Sequence, residues 1–481
     1  EYLKYTLNSL LYWDKMTYMP KNAFGYRNEV MSYMGEMLHE LLSSEELQAY
    51  MYYYNENQTD DLLINAAIRR IYQVQQPITD IPENEYTEYI RLLGFAEKVW
   101  DEGRAENQYE KVMPYFEQIF NSFRKFSEYW GYPNEPYDAL INYYVDGYTT
   151  SDMDNMVEGL KQPLLDILEQ RLEIQKNFTR HKPLKGISKE KQLKLWELIL
   201  KEIGFDFDAG RVDVGSYTII LANSPDDVRI VTEFSEEDLS VGIFNVLHSG
   251  GKAIYHQNID KSLLGTLLAE PPSFVMEEAI GRFYENIIGR SKGFWERIFP
   301  QAMEFIPELR KISIEDFYQM INYCEPSCIR MNADEITFLI HVIIRYEIEK
   351  GVFRGDYEVC DLENIWKSKY REYLNVEPQN VKEGVLQDIH WVTGYMGYFP
   401  TYILSNIAAV QLAYVIKGEY KNLEQLIVEG GIGKINKWMY KNIFRWGAVY
   451  DFHELIKNSC GEDLNVSYYL SYLKEKFLKQ T

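Results

Sequence analysis

Apolar residues at i, i+3 and i+4, with few glycines or prolines between them, run through most of this chain, a repeat that commits it to amphipathic helices. Residues 109–129 and 153–178 are two such stretches. The clear β signal lies between 212 and 234, where Tyr217-Thr-Ile-Ile-Leu221 and Val228-Arg-Ile-Val-Thr232 are β-branched runs flanking Asn223-Ser-Pro-Asp-Asp227. That pattern reads as a hairpin in an otherwise helical protein. Ser235-Glu-Glu-Asp238 then supplies an N-cap with acidic residues in the first turn, predicting a helix over 241–257. The fold class is therefore mainly α, with a small β-sheet near 212–234.

A basic stretch over 180–192, containing Pro183 and Gly186, marks a boundary between an N-terminal helical lobe, 1–180, and a second lobe, 193–481. Acidic residues outnumber basic ones 73 to 50, a net charge of −23. That balance argues against nucleic acid as a partner, because phosphate binding needs a surplus of cations. Four cysteines are too few for a disulfide framework and suit a reducing compartment, the cytoplasm by default. Apolar runs such as 336–344 fall short of the ~20 residues a bilayer crossing needs, so no membrane association is expected. The chain opens on Glu1 rather than Met, and a few native residues are expected ahead of it.

Chemistry concentrates in the helix that follows the hairpin. It contains His248-Ser-Gly-Gly-Lys252, and two adjacent glycines inside a helix cost about 1 kcal/mol each relative to alanine. Such a cost implies close backbone approach to a partner, either a substrate strand or the preceding hairpin. Positions 248 and 252 have the i, i+4 spacing at which two histidines hold one zinc ion, with a glutamate at i+1 as general base. Only His248 has the required chemistry.

The segment 243–258 is similar to the zinc helix of the Taq-type carboxypeptidases, helical metallopeptidases whose motif there is His-Glu-x-x-His. The resemblance extends over nearly the whole chain. Trp13-Asp14 and Pro136-Tyr-Asp-Ala-Leu140 resemble the family's N-terminal half, and Glu277-Glu278-Ala-Ile-Gly-Arg282 resembles the segment carrying its third zinc ligand, a glutamate. Asp227-Val-Arg-Ile-Val231 resembles Asp-x-Arg-x-Thr, Ile329-Arg-Met-Asn-Ala-Asp334 resembles Ile-Arg-x-x-Ala-Asp, and Gly384-Val-Leu-Gln-Asp-Ile-His-Trp391 resembles Gly-x-x-Gln-Asp-x-His-Trp. The resemblance implies a two-lobed helical fold with a long groove, zinc-dependent removal of C-terminal amino acids from peptides, and a homodimer.

Carried over residue by residue, the resemblance sets His248 and Glu278 at the first and third metal ligands. Lys252 stands in place of the second ligand, and a protonated lysine has no free lone pair. Ser249 stands in place of the general base, and a neutral hydroxyl is too weak a base for that role. Tyr217 falls at the histidine of the family's His-Pro-Phe motif, and Glu277 at the histidine preceding the ligand glutamate. Arg229, Arg330, Gln387, Asp388 and His390 remain as expected substrate-binding residues, with a cation suited to a peptide C-terminal carboxylate. The expectation is a zinc-deficient, catalytically impaired member in which the Lys252 ammonium takes roughly the metal's place and pairs with Glu278. An active carboxypeptidase with an atypical site, and a non-catalytic dimeric scaffold, are the competing readings.

Overall fold

The computed structural model describes residues 2–57, 59–215 and 218–479; Tyr217 lies outside them. The protein is mainly helical, with one three-stranded sheet among the described residues. Strands β1 (Gly210–Val214), β2 (Ile219–Ser224) and β3 (Asp227–Thr232) lie in the order β1-β3-β2. The expected hairpin is β2–β3, antiparallel, with an irregularity between Ala222 and Ser224 just before the turn. β1 adds a parallel strand with Val212 opposite Ile230. It puts Arg211 directly opposite Arg229, a like-charge cross-strand pair that needs compensation.

Helices begin where caps are available. Thr149 and Asp152 form a reciprocal capping box, so the helix expected from 153 starts earlier and spans Thr150–Gln175. The His248 helix spans Leu239–Gln257, and its cap is Asp238, which accepts from the Ser240 amide at 2.9 Å. Ser235, the expected cap, instead shapes the turn ahead by accepting the amides of Glu237 and Asp238, each at 3.2 Å.

Two compact units account for the chain. The first comprises Glu1–Gln75, Arg180–Asn322 and Ser405–Asn465, the second Gln76–Thr179, Tyr323–Leu404 and Val466–Thr481. The boundary placed at 180–192 adjoins one of the crossings between them; two others fall inside the helices Leu62–Thr79 and Phe399–Tyr420, where composition has no break to mark them. Phe399–Tyr420 is also long and apolar enough to span a bilayer, with a window of mean hydropathy 1.4, which the shorter run at 336–344 gave no reason to expect. Of that window 83% is buried inside the protein, the mark of a core helix.

The second unit holds a helix, Thr337–Arg354, that is buried on nearly every side. His341, Arg345 and Glu349 recur along it at i, i+4 and i+8, a polar stripe within an otherwise apolar environment.

Candidate functional site

In the first unit the His248 helix lies between the helix Lys189–Ile203 on one side and the segment Phe274–Arg282 with its π-helical continuation Phe283–Ile288 on the other. The glycine pair serves these two contacts, not a substrate strand or the hairpin. A Cβ on Gly250 would come within 2.6 Å of Leu200 and 2.8 Å of Ile203, and one on Gly251 within 2.7 Å of the Tyr284 ring and 3.0 Å of the Ile280 carbonyl. Gly281, facing the helix, plays the complementary part. Its missing Cβ would sit 2.7 to 3.0 Å from three atoms of the His248 ring, so the imidazole occupies the space a side chain would fill.

His248 is thereby held between two carboxylates. Its Nε2 lies 3.2 Å from Glu278 Oε2 and its Nδ1 3.0 Å from Glu285 Oε2. Lys252 Nζ donates to the same Glu278 Oε2 at 3.3 Å and lies 3.7 Å from Glu277. Arg282 reaches the other oxygen of Glu278 at 3.0 Å and Glu285 at 3.2 Å, and Arg290 lies 3.7 Å from Glu285. His256, two turns beyond His248, pairs with Glu277 at 2.9 Å. Three carboxylates thus meet Lys252, Arg282 and Arg290, with the two imidazoles between them.

These charges set one another's protonation. Burial works against the Glu278 carboxylate, but His248, Lys252 and Arg282 hold it well below the usual range. Burial likewise opposes ionisation of Glu277, which Lys252 and His256 pull down to about 2, and of Glu285, which Arg282 and His248 also hold at about 2. Burial disfavours the His248 imidazolium, yet Glu278 and Glu285 raise its pKa above the ordinary value. Ser249 is buried, and its hydroxyl has no hydrogen-bond partner among the described residues. Nor do any three His, Cys, Asp or Glu side chains among the described residues converge as a metal would require. The two nitrogens of His248 face different carboxylates, so His248, Glu278 and Glu285 share no common point.

Arg229 lies in the same unit but serves another contact. Asp227 takes its Nε at 2.8 Å and Nη2 at 3.0 Å, and its Nη1 donates to the Ser9 carbonyl at 3.2 Å. The Trp13 ring lies under both Arg229 and Arg211, 4.8 and 4.9 Å from the guanidinium carbons, and its Nε1 donates to Asp213. The like-charge pair across β1 and β3 is offset by a carboxylate for each arginine and this shared ring.

The remaining expected residues cluster in the second unit. Arg330 is buried and donates to Asp388 from Nη2 at 2.8 Å and from Nε at 3.2 Å. Gln387 accepts from the Arg330 amide at 2.9 Å and donates to the Cys328 carbonyl, fixing the backbone on both sides of the arginine. His390 stacks on Tyr398 with ring centroids 5.9 Å apart, and its Nδ1 has no hydrogen-bond partner among the described residues.

A family model described as carboxypeptidase Taq (M32) metallopeptidase matches residues 2–477. The chain belongs to this family. Carboxypeptidase 1 of Bacillus subtilis is 35% identical over 477 residues, covering 98% of this chain and 94% of the relative. Thermostable carboxypeptidase 1 of Pyrococcus furiosus is 32% identical, with 98% and 95% covered. Among solved structures, a Pyrococcus furiosus carboxypeptidase superposes with TM-score 0.96 at 30% identity, covering 99% of this chain and 96% of that one. Trypanosoma cruzi metallocarboxypeptidase 1 gives 0.95 at 28%, with 99% and 97% covered.

Several residues that shape the sites of this Taq-type carboxypeptidase family member escaped the motif reading. Glu285 and Gly281 frame His248, and their signal was available as spacing: Gly281 and Glu285 follow Glu278 at i+3 and i+7 on one helical face. Arg345 was visible as a charge four residues after His341 in an apolar run.

Proposed function

We propose that this member of the family has exchanged its metal for a lysine and binds peptide C-termini without hydrolysing them. One observation carries the reading: a single carboxylate oxygen, Glu278 Oε2, is shared by His248 Nε2 at 3.2 Å and the Lys252 ammonium at 3.3 Å. The three carboxylates of the cluster are paired with Lys252, Arg282 and Arg290 as well as with the two imidazoles, so the chain's own side chains supply the counter-charge. The zinc of the family does not fit these residues. Lys252 offers no lone pair, each His248 nitrogen is committed to a carboxylate, and Ser249 cannot accept a proton from water near neutral pH. Metal-assisted hydrolysis needs both an activating ion and a base, and neither role has a holder here.

The binding half of the family's chemistry has support. Arg330 keeps a guanidinium whose Nη1 makes no hydrogen bond to the described residues, a donor suited to a carboxylate. Gln387, Asp388 and His390 accompany it. The same reading takes the protein as a homodimer in a reducing compartment, consistent with four free cysteines.

The test is metal analysis of the purified protein together with an assay for release of C-terminal amino acids. The expected result is no stoichiometric zinc and no chelator-sensitive release. One zinc per chain, with turnover abolished by chelation and restored by zinc, overturns the proposal.

A further inference from the structure

We infer that Arg345 is a positioning residue: from inside the core of its unit it fixes Asp388, and through Asp388 the orientation of the Arg330 guanidinium. The inference rests on the reading of Arg330 as the group that meets a peptide carboxylate. Arg345 is 1% exposed, and its Nε, Nη1 and Nη2 make no hydrogen bond to the described residues. Aromatic rings enclose it instead, with Trp391, Phe399 and Trp366 centroids 4.2, 4.4 and 5.0 Å from the guanidinium carbon.

A guanidinium buried without hydrogen bonds is costly, and an apolar side chain of similar volume would pack this space without that cost. What the charge does is set by its neighbour. Arg345 Nη1 lies 3.7 Å from Asp388 Oδ2, while Arg330 donates to both Asp388 oxygens, from Nη2 to Oδ1 at 2.8 Å and from Nε to Oδ1 at 3.2 Å and Oδ2 at 3.3 Å. Asp388 thus faces two cations, Arg330 through hydrogen bonds to both oxygens and Arg345 through its charge beside Oδ2, and a rotation of the carboxylate would move Oδ2 away from Arg345. Farther along the same helix face, Glu349 accepts from Tyr137 at 2.8 Å and from the Gly397 amide at 2.6 Å. Charges alternate from Glu349 through Arg345 and Asp388 to Arg330, the last with a donor to spare.

Peptide binding separates this from general support of the fold. A fluorescent peptide with a free C-terminus and its C-terminal amide are titrated against the full chain and the variants Arg330→Gln, Arg345→Met and Arg345→Lys. The preference for the free acid is expected to vanish in Arg330→Gln and to fall about tenfold in Arg345→Met, with affinity for the amide unchanged. Arg345→Lys, which keeps the charge, is expected to retain most of the preference. Should Arg345→Met fail to fold, Arg345→Gln takes its place with the same expected loss. Loss of preference in Arg330→Gln but not in the neutral Arg345 variant overturns the inference while leaving the Arg330 reading intact. Absence of any preference in the wild type, or its persistence in Arg330→Gln, sinks the Arg330 reading. The positioning role is then judged on a crystal structure of the neutral variant, where unchanged Asp388 and Arg330 side chains overturn it and displaced ones uphold it.

Discussion

Lys252 Nζ sits 3.3 Å from the buried Glu278 Oε2 and 3.7 Å from the half-buried Glu277, one ammonium between two carboxylates of a neighbouring helix. A buried carboxylate that loses its counter-charge costs about 3–5 kcal/mol. Lys252→Met is therefore expected to lower unfolding free energy by roughly that amount in urea titrations, while EDTA leaves the wild-type transition where it was. A loss under about 1 kcal/mol would mean that the arginines neutralise the carboxylates without help.

Close packing around His248 gives a second expectation. Alanine in a helix interior gains about 1 kcal/mol over glycine by propensity. At Gly251, however, the new methyl would meet the Ile280 carbonyl at 3.0 Å and the Tyr284 ring at 2.7 Å. Gly251→Ala should therefore destabilise by about 1–3 kcal/mol, as overpacking does, and Gly281→Ala should do the same by pushing His248 off Glu278 and Glu285. Denaturant midpoints decide it; stabilisation by either change would refute the packing account.

The pH dependence of stability follows from three histidines. Burial pushes His341 and His390 down to about 3, against an unfolded value of about 6.5. Below about 6.5 the unfolded chain binds protons that these two refuse, so stability falls with acidification by up to about 1.4 kcal/mol per pH unit for each. His248 is shifted the other way, so its contribution is complete below about 6.5 and is lost as pH rises through its raised value. Stability should peak near the ordinary histidine pKa and decline on both sides. Thermal melts from pH 5 to 9, repeated with His390→Gln to reduce the acid limb to the His341 contribution, test this; a flat acid limb in the wild type contradicts it.

Trp13 shields two arginines that would otherwise repel across the sheet. Trp13→Ala removes about 0.5–1 kcal/mol for each cation–π contact and a hydrogen bond to Asp213. The expected readout is local: faster amide exchange and proteolysis in residues 2–17, with the global transition little changed. Unaltered protection there would show that the Arg229 hydrogen bond to the Ser9 carbonyl and the Tyr5 hydroxyl donating to Asp227 at 2.9 Å suffice to hold the segment.

The helices, the hairpin and the segments bearing the sites were legible because helical periodicity and short motifs are local signals. His248, Lys252 and Glu278 could be placed from spacing and resemblance alone. What escaped was set by tertiary neighbours. The reason for Gly250 and Gly251 lies in Leu200, Ile203 and Tyr284, far from them in sequence, and the role of Arg229 depends on Ser9 and Trp13 arriving from the N-terminus. β1 was hidden because its five residues alternate charged and apolar side chains too briefly to stand out beside the β2–β3 hairpin.

The stripe of His341, Arg345 and Glu349 has a bearing on how the Thr337–Arg354 helix finds its place. A helix apolar on every side has no preferred azimuth, since any face it turns inward is acceptable to hydrocarbon. Each residue step rotates the face by about 100°, so a one-residue slip would carry Arg345 away from Asp388 and Glu349 away from Tyr137 and Gly397. The stripe therefore works as a key for rotation, alongside Glu347 and Lys350, whose ion pairs with Lys369 and Asp154 hold other faces of the same helix.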